Sequence, residues 1–247
     1  MLSVVIPAYN ESRNIEITVN AIYEALNAED ISHEILVVND HSRDDTESIL
    51  KVMCENVLTL KYVNNTGKGG FGNAIRFGLE VFKGDYVAIM MADLSDSPHD
   101  LISFYKLAVK EKKDAVFGSR FIKGGSVSDY PKHKYILNRF FNNLVRYLFA
   151  SSYNDFTNAF KIYKKETIYG LRPFLSHHFN LTLELPLKVL VRGYTFEVLP
   201  NSWKNRQYGT SNLKIKEMGG RYFFILFYCL IEKYFSRGDY HKKRIKN

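Results

Sequence analysis

Cysteine is scarce: Cys54 and Cys229 are the only two in 247 residues, far apart and without histidine neighbours. Neither a disulfide framework nor a zinc site can be assembled from them, so a reducing, cytoplasmic setting is expected. A long hydrophobic run is missing as well. The longest, residues 222–231, is about half of what crosses a bilayer. Gly219-Gly-Arg221 before it and Glu232-Lys233 after it leave a helix over residues 217–235 that is either buried or laid along an interface. The first residues, Met1-Leu-Ser-Val-Val-Ile-Pro7, have no basic segment and no small-residue cleavage site, and read as a strand rather than a signal peptide. Internal repeats and low-complexity linkers are also absent.

With 46% hydrophobic and 24% charged residues, the chain is globular rather than disordered. Its formal charge of +8 is partly gathered in His241-Lys-Lys-Arg-Ile-Lys246. Such a tail attracts polyanions, either nucleic acid or an anionic membrane face, or simply solvates the chain end; charge alone does not choose.

Apolar runs at residues 2–7, 34–39, 58–63, 86–91 and 114–117 read as strands buried on both faces. Residues 14–26, 44–55, 71–82 and 100–110 have helical spacing, with Ser12, Asp44 and Ser97 near their starts as caps. This alternation implies a mostly parallel sheet covered by helices. From Gly124 onward the rhythm changes: helix at 135–150, a strand-like stretch at 155–163, helix at 181–191, strand at 194–200 and a basic loop over 201–214.

Ligands of open α/β sheets bind beyond the carboxyl ends of the strands. Those ends carry Pro7-Ala-Tyr-Asn-Glu11, Asn39-Asp-His-Ser42, Asn64-Asn-Thr-Gly-Lys-Gly-Gly70 and Met91-Ala-Asp-Leu-Ser-Asp96. Together they suggest a nucleotide site. Tyr9 can pack on a base or ribose, Glu11 and Asp40 can accept hydrogen bonds, and Asp93 can hold a divalent cation on a diphosphate. Singly, Tyr9 can equally be core, and Glu11 and Asp40 helix caps. Gly67-Lys-Gly-Gly-Phe-Gly72 fits G-x-G-x-x-G, but it follows the third strand, and the first turn carries side chains that would clash with a pyrophosphate. A dinucleotide dehydrogenase is therefore disfavoured; the glycines allow a tight loop, with Lys68 near phosphate or solvent.

The chain resembles the family 2 glycosyltransferases. Val4-Val-Ile-Pro-Ala-Tyr-Asn-Glu11, Val37-Val-Asn-Asp-His-Ser42 with Asp45-Thr46, Asn65-x-Gly67 with Ala74 and Gly78, and Gly84-Asp-Tyr86 follow that family's pattern in order and spacing. Gly118-Ser-Arg-Phe-Ile-Lys-Gly-Gly125, Asp155-Phe-Thr-Asn-Ala-Phe160, Glu184, Arg192-Gly-Tyr194 and Arg206-x-x-Gly-x-Ser211 look like the dolichol- and polyprenyl-phosphate sugar transferases. The resemblance covers residues 1–215. It implies an α/β GT-A fold there, with a mostly parallel Rossmann-like sheet and helices on both faces, and an amphipathic helix with a basic tail over 216–247.

The same resemblance implies that Pro7, Ala8, Tyr9, Glu11, Asp40, Gly67 and Lys68 bind the donor, with Ala92 and Asp93 at its ribose, diphosphate and metal. Arg120 and Arg206 would act with Asp93 in catalysis, and Asp155, Asn158, Glu184, Ser211 and Lys214 would face the acceptor. The implied cofactor is Mg2+ or Mn2+. The implied partners are a GDP- or UDP-sugar, a polyprenyl-phosphate lipid and an anionic membrane surface, not nucleic acid. The protein would sit peripherally at the inner membrane face, its tail beside the acceptor entrance; a homo-oligomer interface is the other use for residues 222–231. A single inverting transfer is implied, since the Gln-x-x-Arg-Trp pattern of processive synthases is absent. Two other readings remain: transfer to a hydroxyl with Asp155 or Glu184 as base, and a non-catalytic nucleotide-sugar-binding module.

This chain departs from the family at several places. Met91 replaces the first Asp of Asp-x-Asp, and Ser95 stands where a glutamine is usual. Asn158-Ala-Phe-Lys161 replaces Ser-Gly-Phe-Arg, and Ser211-Asn212 replaces Ser-Lys, with Lys214 as the substitute cation. Asn39 occupies the first acidic position after the second strand.

Overall fold

The computed structural model describes residues 1–206, 208 and 215–242. Ser211 and Lys214 lie outside the described residues, as do Lys243, Arg244 and Lys246. In chain order the elements are β1 (Leu2–Ala8), α1 (Ile15–Ala28), β2 (His33–Asn39), α2 (Thr46–Asn56), β3 (Leu60–Asn64), α3 (Phe71–Val81), β4 (Tyr86–Ile89), α4 (Pro98–Lys110), β5 (Ala115–Ser119), β6 (Ser126–Ser128), α5 (Lys132–Phe149), β7 (Lys161–Lys164), α6 (Lys165–Gly170), α7 (Leu181–Val191), β8 (Phe196–Pro200), β9 (Ser202–Lys204) and α8 (Ile215–Phe235).

Seven strands form one sheet in the order β3-β2-β1-β4-β7-β5-β8, parallel except for β7, which opposes both β4 and β5. β6 and β9 make a separate parallel pair. Every residue of β1 and β2 is buried, as their Val- and Ile-rich composition anticipates, because helices cover both faces. One face packs on α1, α2 and α4 through Ile15, Val19, Leu50, Leu101 and Phe104. The other packs on α3 and α5 to α8 through Ala74, Leu79, Val145, Ile168, Leu187 and Leu226.

Several expectations change. β3 is an edge strand with only Leu60 buried, so it is not covered on both faces. The strand expected over 155–163 shrinks to β7, leaving residues 155–160 as a loop at the carboxyl ends of β4 and β5. Ser12 caps nothing; its backbone N–H donates to Asp44 Oδ2, whose other oxygen accepts from the Thr46 N–H at the start of α2. Ser97 does stand at the N-cap of α4, without a side-chain cap bond.

The core does not stop at residue 215, because Ile225, Leu226 and Cys229 of α8 belong to it. Glu232 pairs with Arg192 behind α7, nitrogen to oxygen 2.7 Å, with both side chains sealed. The chain then turns through Ser236–Lys242 to the opposite edge of the sheet from the strand ends discussed above. There Lys242 Nζ lies 2.8 Å from both carboxylate oxygens of Asp114, the residue before β5. The described end of the basic tail therefore lies away from the carboxyl strand ends, beside which it was expected. α8 runs from the site edge toward this far edge. α5 lies beside it in the same direction, Phe141 against Tyr222 and Phe223, and Phe149 O accepting from Lys233 Nζ at 2.9 Å.

Candidate functional site

The loops after β1, β2, β3 and β4 converge. After β1, Asn10 adopts a left-handed φ of 55°, which turns Tyr9 outward to 42% exposure. Asp40 is buried, and both its oxygens anchor the glycine loop: Oδ1 accepts from Asn65 Nδ2 and Oδ2 from the Gly70 N–H, each at 2.7 Å. Gly70 has φ 132°, and a side chain there would press on the His177 carbonyl, so the loop before α3 requires glycine at that position. Gly67 and Lys68 are exposed on this loop, the Gly67 carbonyl bound by His41 Nε2 at 3.0 Å. Pro7 and Ala8 are buried in β1.

After β4, Ala92 is buried and its carbonyl accepts from Thr18 Oγ1. Asp93 is the centre of a charge cluster. Its Oδ2 lies 2.7 Å from Arg206 Nη2, and Arg206 Nη1 lies 3.3 Å from Glu11 Oε1. Burial pushes the Glu11 carboxyl upward; the Asn14 hydrogen bond and the Arg206 charge oppose it, and Asp93 adds to the rise. Asp96, three residues on, is fully buried with Oδ1 unpartnered. Burial first, and then Asp93, push its carboxyl up to about 7 against the pull of Arg120.

Arg120 follows β5 in a closed cage. Its Nε and Nη2 bind Asp155 Oδ2 and Oδ1 at 2.8 and 2.7 Å, and its backbone N–H reaches the same carboxylate at 3.0 Å. The rings of Phe121, Tyr130 and Trp203 stand within about 6 Å of the guanidinium. Desolvation works against this cation, but Asp155 more than compensates and holds it protonated. Asp155 is wholly buried, which corrects its reading as a general base: it positions Arg120. Asn158 braces the same loop, donating to Gly118 O and Asn201 Oδ1. Lys161, also buried, donates to the carbonyls of Phe156, Asn158 and Thr182, and burial brings its amine down to about 7.

Glu184 is not part of the site. It is sealed in α7, accepts from the Leu175 and Ser176 N–H groups at 2.8 and 2.7 Å, and pairs with Lys188 at 2.5 Å. A carboxylate so enclosed cannot reach an acceptor, which corrects that expectation. Conversely, Tyr130 and Trp203 were not anticipated, and Asp96 was noted at its strand end without a role.

Among the described residues, no three His, Cys, Asp or Glu side chains gather as a metal centre. The thioether of Met91 is a poor ligand for the oxygen-seeking Mg2+ and Mn2+. Asp93 and the unpartnered Asp96 oxygen are hard donors. They fit a divalent ion only if diphosphate oxygens complete the set.

A family model described as Glycosyl transferase family 2 matches residues 3–172. Polyprenol monophosphomannose synthase of Mycolicibacterium smegmatis is 26% identical over 216 residues, 85% of this chain and 80% of that protein. Dolichol-phosphate mannosyltransferase of Pyrococcus furiosus is 28% identical, with 87% of this chain and 60% of that protein covered. Glycosyltransferase AglD of Haloferax volcanii is 27% identical over 82% of this chain, which spans only 33% of AglD. Among solved structures, glucosyl-3-phosphoglycerate synthase from Mycobacterium tuberculosis, in complex with Mn2+, uridine diphosphate and phosphoglyceric acid, superposes with a TM-score of 0.70. It is 18% identical, covering 93% of this chain and 78% of that one, and the likeness is one of fold.

Proposed function

The chain belongs to glycosyl transferase family 2 and has its GT-A fold, and on that premise we propose that it transfers a sugar, with inversion, from a nucleotide-sugar to a polyprenyl phosphate. One observation carries the choice of acceptor. Both carboxylates offered as general bases are engaged elsewhere, Asp155 on Arg120 and Glu184 on Lys188. A hydroxyl nucleophile needs such a base. A phosphomonoester is already ionised at neutral pH and needs only cations to orient it. The relatives named for polyprenol and dolichol phosphate support the same reading.

In this mechanism Tyr9 and the Asp40-anchored loop hold the nucleoside, and Asp93 with Arg206 faces the diphosphate. Asp93 would hold a Mg2+ or Mn2+ ion, which would neutralise the leaving diphosphate. Arg206, now on Asp93 and Glu11, is within reach of the same charge and can stabilise it as it develops. Arg120, paired with Asp155 and ringed by Phe121, Tyr130 and Trp203, braces the loop on the acceptor side. On the family pattern Ser211 and Lys214 would also face the acceptor. The donor carries GDP or UDP, and the work is done at the inner membrane face, where a lipid-borne acceptor is found.

The test is incubation of full-length protein with labelled GDP-mannose and UDP-glucose, with and without a short polyprenyl phosphate. Acid-labile lipid-linked product is expected with one donor. Sugar passed to a soluble alcohol but not to the lipid phosphate would favour the hydroxyl reading. Neither product, with nucleotide still bound, would favour a binding module.

A further inference from the structure

Lys161, the first residue of β7, is only 1% exposed. Its amine donates to three backbone carbonyls: Phe156 at 3.1 Å, Asn158, and Thr182 at 3.5 Å. The rings of Phe117 and Tyr153 close around it, their centres about 6 Å away. Two of these carbonyls belong to the loop over residues 155–160, and the third to the first turn of α7. That third carbonyl is short of a partner for a reason written in the sequence. Pro186 lies inside α7, four residues after Thr182, and has no N–H to return to it. Lys161 supplies the donor that the helix cannot.

An ammonium has three N–H donors and no acceptor, and three carbonyls face this one. A neutral amine has two donors and a lone pair, which would leave one carbonyl unpaired in a sealed place. The arrangement is therefore matched to the charged form. Arginine, the family residue here, would be a permanent cation, and lysine is not. The charges acting on the amine are Asp155 in the loop, Arg120 after β5 and Asp96 after β4. Burial raises the Tyr153 phenol well above its ordinary value, so it stays neutral, and α7 contributes the Thr182 carbonyl. Burial outweighs the two carboxylates and brings the amine into the neutral range, at about 7.

We propose that Lys161 is a positioning residue: its ammonium pins the 155–160 loop to α7 opposite Pro186 and so sets how the acceptor is received. The pinned loop is the one that places Asp155 on Arg120, and Asn158 on the Gly118 carbonyl and Asn201. The part concerning the acceptor rests on the transfer reading above; the pin does not. As pH rises through the neutral range the amine loses its third donor and the loop is released from α7. Acceptor affinity falls with it. Nucleotide affinity, assigned to the loops after β1 to β4, is unchanged.

The test is hydrogen exchange of the 155–160 amides in the full chain, corrected for intrinsic rates and needing no substrate. Wild type should exchange about tenfold faster at mildly alkaline than at mildly acidic pH. Lys161→Met should exchange fast in both conditions, and Lys161→Arg slowly in both. Pro186→Ala returns an N–H to the Thr182 carbonyl and should loosen the loop about threefold without lowering the melting temperature. A merely structural change would loosen the loop and lower the melting temperature together. With labelled donor and a short polyprenyl phosphate, Lys161→Met should raise the acceptor KM about tenfold and leave the Kd for GDP and UDP unchanged. The pin is overturned if Lys161→Met exchanges as wild type does, or if only the nucleotide Kd moves. It is also overturned if the pH response persists in Lys161→Arg, since Asp96 would then be its source. Where Lys161→Arg does not fold, NMR of the wild-type lysine amine against pH decides instead, and an amine still charged well above neutrality overturns the release. A pinned loop without any transfer to polyprenyl phosphate would leave the pin standing and remove the proposed acceptor.

Discussion

Arg206 and Asp93 are joined by a 2.7 Å ion pair, so the carboxylate proposed to hold the donor's cation already has a cation of its own. A free metal ion must compete with this guanidinium, whereas a diphosphate can draw the guanidinium away. Mn2+ titrated alone by calorimetry should therefore bind weakly, and much more tightly once nucleoside diphosphate is present. Arg206→Gln should raise affinity for Mn2+ alone, and Met91→Asp should raise it further by adding a hard ligand. Asp93→Asn should abolish transfer while the melting temperature is kept. Near-normal turnover in Asp93→Asn would remove Asp93 from the mechanism.

Asp40 acts through the glycine loop. Asp40→Ala releases the Gly70 N–H and Asn65, so nucleotide affinity should fall by about 1–3 kcal/mol, with turnover at saturation little changed. Calorimetry with GDP and UDP measures this, and unaltered affinity would move the nucleoside elsewhere.

Asp155 holds Arg120 through both of its oxygens. Removing one partner of a buried ion pair leaves an uncompensated charge, so Asp155→Leu should destabilise the fold by about 3–5 kcal/mol in urea. The double variant Arg120→Met/Asp155→Leu should recover much of that loss. A base would behave differently: Asp155→Asn would keep stability and lose turnover at every pH, since an amide cannot accept the proton.

Asp96 sets a pH dependence. Its carboxyl is raised to about 7 in the folded chain, so the fold binds a proton that the unfolded chain has already released. The contribution is present in full below the ordinary carboxylate range and is lost as pH rises through about 7. Asp96→Asn, which cannot ionise, should melt several degrees above wild type at pH 8 and level with it near pH 4. An equal difference at both pH values would show that Asp96 does not titrate in this way.

Much of this was legible beforehand because period and punctuation are local. The boundaries of β1, β2, α3 and α7 follow from apolar runs and helical spacing. The convergence of Glu11, Asp40 and Asp93 follows from the rule that ligands sit at carboxyl strand ends. Partnership was not legible. Asp155 looks like a free acid along the chain, and only tertiary contact reveals Arg120 against it; Glu184 had Lys188 four residues on in the same helix, but its burial came only with the fold. The reversal of β7 was likewise hidden, since a four-residue buried strand reads the same in either direction. Lys242 looked like one more tail cation until Asp114 came beside it.

That reversed strand has an architectural outcome. The loops proposed to hold the donor hang from β1, β2, β3 and β4 on one side of β7, and the Arg120 cage hangs from β5 on the other. The segment leading into β7, residues 155–160, is the buried post between them. Recombining this segment and its α5 bracket among relatives could change what receives the sugar while the nucleotide half is inherited unaltered, which makes the seam a natural cut site for building chimeric enzymes.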